Sequence, residues 1–262
     1  MKADRINENI ANAATAARSR PGGDWSRWWL VVIYALAMAW VESAVVFYLR
    51  SMIDRIDPHQ ANPFPRLDDG FGWVELVREL ATIVMLLTVA WLAGGNRRSR
   101  LGYFTLAFGV WDIAYYVFLR LMCGWPHSLL DWDVLFLLPM PWWGPVMAPV
   151  MIALLMILGG TWASQFERRE GVVVSNWRIW MLGLAGTVLA LYVFMADTLA
   201  AVPQGLPAIC NVVPNEFNWP LFGVAFGLMS LPVLQWMWSE INSGNSDASE
   251  PKLHETKTAR QT

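Results

Sequence analysis

Six stretches of the chain are apolar for long enough to cross a bilayer as helices: about Trp28–Leu49, Trp73–Ala93, Leu101–Met122, Pro145–Trp162, Trp177–Asp197 and Trp219–Trp238. Roughly 20 mostly apolar residues in helical form span the hydrocarbon core. The pattern predicts an all-α polytopic membrane protein, a bundle of six transmembrane helices over 25–239. The polar stretches on either side, 1–24 and 240–262, lack apolar periodicity and read as disordered tails. Pro149 falls near the start of the fourth span, where a missing donor costs little. Pro232 predicts a kink in the sixth.

Two segments on one side of this bundle are more than connectors and predict caps. The first, 51–72, carries Pro58, Pro63, Pro65 and several acids. The second, 123–143, reads CGWPHSLLDWDVLFLLPMPWW. Its apolar part, Val134–Leu138, is too short to span. It predicts a re-entrant or interfacial segment packed on the outer mouth of the bundle, because non-helical backbone at depth needs cover from protein or water.

Composition sharpens the membrane reading. Charged residues make up 15% of the chain, against about a quarter in ordinary soluble domains. Many of the 17 tryptophans mark span ends, as the amphipathic rings of an aromatic belt do. Basic residues cluster in alternate loops: Arg5 to Arg27 in the first tail, Arg97, Arg98 and Arg100, then Arg168, Arg169 and Arg178, then Lys252, Lys257 and Arg260. With six spans these all fall on one side, so the positive-inside rule predicts both termini in the cytoplasm. Residues 1–24 contain no apolar run that would make a cleavable signal. The architecture fits a bacterial cytoplasmic membrane. A net charge of −2 argues against nucleic acid as a partner, leaving membrane lipids and other membrane subunits. Cys123 and Cys210 both lie in outward loops, where an oxidising periplasm permits a bridge between them.

Carboxylates within the spans are the candidate chemistry, because charge at that depth is costly and marks function by default. Glu42 precedes Arg50 by eight residues and Asp112 precedes Arg120 by eight, placing each roughly 12 Å inward of its helix end. Glu79 lies roughly 9 Å inward of Trp73. All three fall in one layer of the outer half. Glu75, Arg78, Glu79 and Thr82 form one polar stripe at helical spacing, and Asp112, Tyr115, Tyr116 and Arg120 form another. These stripes should converge, either as an ion-pair network locking three helices or as a polar cavity that binds a cation or a proton. With Arg50, Arg78 and Arg120 against four acids, one carboxylate is left in surplus.

Other features point away from cofactors and metals. The chain has no HExxH, no Cys/His cluster of zinc spacing and no Walker A sequence. No span contains histidine for haem ligation or lysine for a retinal Schiff base. Asp131 and Asp133 with His127 match no strong ligand spacing, and hydrogen bonding and turn capping suit them better. Three kinds of protein fit this pattern. The first is a transport or channel-like component with an outward-half carboxylate site, and the second a non-catalytic subunit or scaffold of a membrane complex. The third is an enzyme acting on a lipid at the outer leaflet; it ranks last, because no motif names a reaction.

Overall fold

The computed structural model describes residues 25–59, 69–137, 140–165, 177–214 and 216–249, with backbone alone at 69–72, 206, 210 and 239–249. Its elements run α1 (Trp25–Met52), α2 (Asp69–Ala93), α3 (Arg97–Cys123), β1 (Trp132–Phe136), β2 (Trp142–Pro145), α4 (Met147–Gln165), α5 (Trp177–Ala201), a short 3-10 turn, α6 (Leu206–Cys210) and α7 (Trp219–Ser249). Six of these helices are long and apolar enough to cross a membrane. The fold is an all-α, multi-pass membrane protein. Every expected span has its helix, and most run a few residues further than the apolar window alone. The last continues past Trp238 to Ser249, so ten residues expected to be an unstructured tail, 240–249, are helical. The first tail lies outside the described residues.

The chain packs as two compact units. The first holds α1 to α4, the hairpin and the segment Phe194–Phe217. Local signals set its helix ends. Asn96 caps α3 by accepting from the Ser99 N–H at 2.9 Å, and the Ser99 hydroxyl accepts in return from Asn96 N–H at 3.1 Å, a reciprocal capping box. At the other end Gly124 takes a left-handed φ of 78° and stops the helix. The core lies between α1, α2 and α3, built from Val31, Ala35, Leu86, Leu106 and Trp111 among others.

Small residues bring α3 against α4. A Cβ on Gly160 would stand 2.6 Å from the Gly102 carbonyl and the Leu106 N–H nitrogen, and one on Gly109 would stand 2.5 Å from the Ala153 carbonyl. Lipid gives membrane helices no hydrophobic incentive to associate, so close backbone packing must supply it. The second unit, Arg168–Val193 with Asn218–Thr262, uses the same device. Gly183 meets the Pro232 ring and Gly186 meets the Ala225 carbonyl. Trp180 and Trp236 meet edge to face with centroids 5.0 Å apart.

The second predicted cap is a β-hairpin, where the sequence predicted only a re-entrant or interfacial segment of unspecified form. β1 and β2 pair antiparallel, Asp133 opposite Gly144 and Val134 opposite Trp143, with a bulge between Val134 and Phe136. Phe136 lies on Phe108 and Trp111 of α3, centroids 6.3 and 6.2 Å away. Phe108 is eleven residues inside one end of α3 and fifteen inside the other, roughly 16 and 22 Å along the helix. The hairpin therefore reaches the middle of α3. It is re-entrant.

Candidate functional site

The polar stripes of α1, α2 and α3 converge where the hairpin enters. Arg78 on α2 makes ion pairs with both Glu42 on α1 and Glu75 one turn earlier on its own helix. Its Nε also donates to Glu75 at 2.9 Å. Thr82 closes this knot, its hydroxyl donating to Glu42 at 3.3 Å. Ser43, fully buried beside Glu42, donates to the Tyr115 carbonyl at 3.1 Å and so ties α1 to α3. The Glu42, Glu75 and Arg78 side chains keep between 12% and 21% of their surface accessible. The knot is shielded without being sealed.

Glu79 does something different. Both of its carboxylate oxygens accept the Leu137 N–H, at 3.0 and 3.1 Å. Leu137 follows β1 at the end of its paired run, where the backbone donor has lost its strand partner. In hydrocarbon such an orphan costs several kcal/mol. A carboxylate from α2 supplies the missing acceptor. Thr198 answers the opposite need, its hydroxyl donating to the Pro141 carbonyl at 2.8 Å. Gly144 lets β2 lie against Phe194, whose ring carbons would stand 2.9 Å from any Cβ there.

The third tie is Arg50 with Asp133. The Arg50 Nη2 donates to Asp133 Oδ1 at 2.7 Å, and Nη1 to the Ile56 carbonyl at 3.3 Å. Its guanidinium also stacks 4.2 Å from the centre of the Trp125 ring. Asp133 is 1% exposed. Burial pushes its carboxyl above the usual carboxylate range, and Arg50 opposes that shift. Tyr115 and Tyr116 both lie in the field of Arg50, Asp112 and Asp133, with Arg78 also bearing on Tyr115.

Six of the eight predicted residues thus stand within one connected region: Glu42, Glu75, Arg78, Glu79, Tyr115 and Tyr116. Asp112 belongs to it by position, yet no described residue gives it an ion pair or a hydrogen bond. Arg120 does not belong. It is turned to the loop after α3 and donates to the carbonyls of Gly124 and Pro126. An arginine in the last turn has free carbonyls within reach, and these hold it. Asp131 caps its own turn through the N–H groups of His127 and Ser128. Cys123 is a free thiol, its Sγ donating to the Leu119 carbonyl at 3.2 Å. The side chain of its expected partner, Cys210, lies outside the described residues.

Asp133 and His59 were the least legible members. Asp133 reads from sequence as a hydrogen-bonding or turn-capping acid, but the buried Arg50 of α1 makes it an inward-facing ion-pair partner. His59 falls in the first predicted cap, where nothing in the sequence marks it for a fixed contact. In the fold its ring stacks on Trp132 at 5.6 Å and bonds the Pro214 carbonyl at 2.6 Å, fastening the base of the hairpin. Among the described residues no group of three or more His, Cys, Asp or Glu is placed to hold a metal ion. An apolar recess of about 260 Å³ lies between α1, α3 and α4, walled by Leu36, Val110, Val117 and Ile157 among others. No known protein family, curated protein or solved structure matches this chain.

Proposed function

We propose that the protein is a transport or channel-like component of a membrane, in which the polar layer beneath the hairpin handles a proton or a small cation. The observation that carries this reading is the seat of the hairpin. Its unpaired backbone is held near the middle of the bundle by the carboxylate of Glu79. Irregular backbone at that depth is characteristic of filters and substrate sites, which line a protected path. The accessible Glu42–Arg78–Glu75 knot beside it supplies fixed charge along such a path. With the termini in the cytoplasm, as the basic loops argue, the hairpin mouth opens outward. A bacterial cytoplasmic membrane suits that orientation.

The test is flux. Full-length protein would be reconstituted into liposomes enclosing a pH-sensitive dye, with a potential imposed by a potassium ionophore. Proton or cation entry above that of empty liposomes is expected, falling at least about tenfold, a barrier change of ~1.4 kcal/mol, in Glu42→Gln and Glu75→Gln. A second reading has its own support. Arg78 is committed to two helices and Glu79 to the hairpin, as in a structural network that serves a scaffold subunit. If those variants lose folding while the wild type passes nothing, the scaffold reading wins. Co-purifying subunits would then be the molecules to identify.

A further inference from the structure

Arg97 and Arg100 open α3 at the end of the bundle opposite the base of the hairpin. Three residues apart, they are neighbours on one helix face. Arg100 is fixed in place. Its guanidinium carbon lies 3.7 Å from the centre of the Trp91 ring on α2, and its Nε donates to the Gly94 carbonyl at 3.0 Å. The turn between α2 and α3 closes around its stem: a Cβ on Gly94 would stand 2.5 Å from the Arg100 nitrogen and 2.6 Å from its Cγ. Arg27 of α1 reaches the same turn, donating to the Ala93 carbonyl at 3.4 Å. At the hairpin end Arg50 and Arg78 each meet a carboxylate. Here the setting differs. Among the described residues, α1 before Glu42, α2 after Glu79, α3 before Asp112 and all of α4 contain no aspartate or glutamate. The Nη groups of Arg100 and the exposed guanidinium of Arg97 have no acid to meet among them.

A guanidinium stacked on an aromatic face keeps its edge of N–H donors open. That fork matches a phosphate with two parallel hydrogen bonds. The surroundings say which phosphate. Trp91 and Leu92 of α2 are exposed, and so are Leu30 and Ile33 of α1, three and six residues inward of Arg27 and hence roughly 4 and 9 Å deeper. Fixed positive charge therefore stands directly above an apolar flank. A soluble anion would use the charge and leave the flank bare, whereas a phospholipid uses both. We propose that Arg97 and Arg100, with Trp91 as their backing, bind the phosphate of an anionic phospholipid whose chains lie along the exposed flank of α1 and α2. The lipid is anionic because a zwitterionic headgroup brings its own cation to the arginines, while basic residues at the membrane surface attract net negative lipid. This site lies away from the charged knot under the hairpin and does not depend on the transport reading.

The experiment is native mass spectrometry of the full chain in neutral detergent, titrated with phosphatidylglycerol and with phosphatidylcholine carrying the same acyl chains. The first phosphatidylglycerol should bind at least about tenfold more tightly than the first phosphatidylcholine, and Arg97→Gln and Arg100→Gln should each lower that preference about fivefold. Arg120→Gln, at the far end of α3, should leave it unchanged. Inorganic phosphate in excess should not displace the lipid. Arg97→Gln gives up no ion pair with a described residue, so its thermal unfolding without added lipid should match wild type. It decides alone should Arg100→Gln fail to fold. Equal binding of the two lipids overturns the proposal, and so does a preference that survives Arg97→Gln or falls as far in Arg120→Gln. Displacement by inorganic phosphate overturns it as well, because that marks a site for a soluble anion.

Discussion

Replacing Arg78 by methionine strips Glu42 and Glu75 of the guanidinium they share. Breaking a buried ion pair from one side costs about 3–5 kcal/mol. These side chains keep 12% to 21% of their surface, so solvent returns part of that and about 2–3 kcal/mol is expected. Thermal unfolding in detergent would measure it, and adding Glu42→Gln to the variant should recover part of the loss. Asp133 gives a pH-dependent counterpart. Its folded-state carboxyl binds a proton more tightly than an unfolded one, so ionising it costs the fold stability at high pH. That cost is relieved as pH falls through the raised folded value toward the ordinary carboxylate value. The unfolding difference between wild type and Asp133→Asn should therefore move in favour of wild type on acidification. A difference flat with pH would contradict the burial of this group. The carboxylates of α1, α2 and α3 were legible in the sequence because helical rise converts position to depth. Their partners were not. Nothing local says that Arg50 takes Asp133 rather than Glu42, or that Arg120 finds loop carbonyls instead of Asp112.

At the scale of elements, glycine decides which helices touch. Gly160→Leu forces side-chain atoms into the α3 backbone, which sits 2.6 Å from any Cβ there. It should cost about 1–3 kcal/mol or more. Gly227→Ala on α7 is the contrast, with nothing within 4 Å of its Cβ. Alanine is favoured over glycine within a helix by about 1 kcal/mol, so this variant should unfold no earlier than wild type. The hairpin has a similar discriminating pair. Glu79→Ala orphans the Leu137 N–H, a loss of about 1–3 kcal/mol, and hydrogen exchange at Leu137 should accelerate. Glu79→Gln keeps an acceptor and should exchange less. Sequence alone predicted a re-entrant or interfacial segment here but no strands, and the reason is physical. A strand with one buried face shows apolar residues inward and polar outward. In β1 the fully buried residue is Asp133, between two half-buried neighbours. The buried Arg50 beneath it inverts the usual alternation and conceals the strand.

For the molecule as a whole, the six candidate spans among the described residues predict that both chain ends share one side of the membrane. Fluorophores attached to single cysteines at the two termini should therefore be quenched by the same impermeant reagent in sealed vesicles. The apolar pattern carried most of the fold, since span-length hydrophobic runs permit little but helices. The division into two packed units was not readable, because it depends on which helix faces meet. The hairpin also bears on how the chain is made. It emerges from the ribosome between α3 and α4, but Thr198, which holds its Pro141 carbonyl, belongs to α5. For the length of two more helices the new backbone lacks that anchor. A chain halted before α5 would carry unsatisfied peptide groups at bilayer depth. The last helices thus finish the assembly of a segment synthesised well before them.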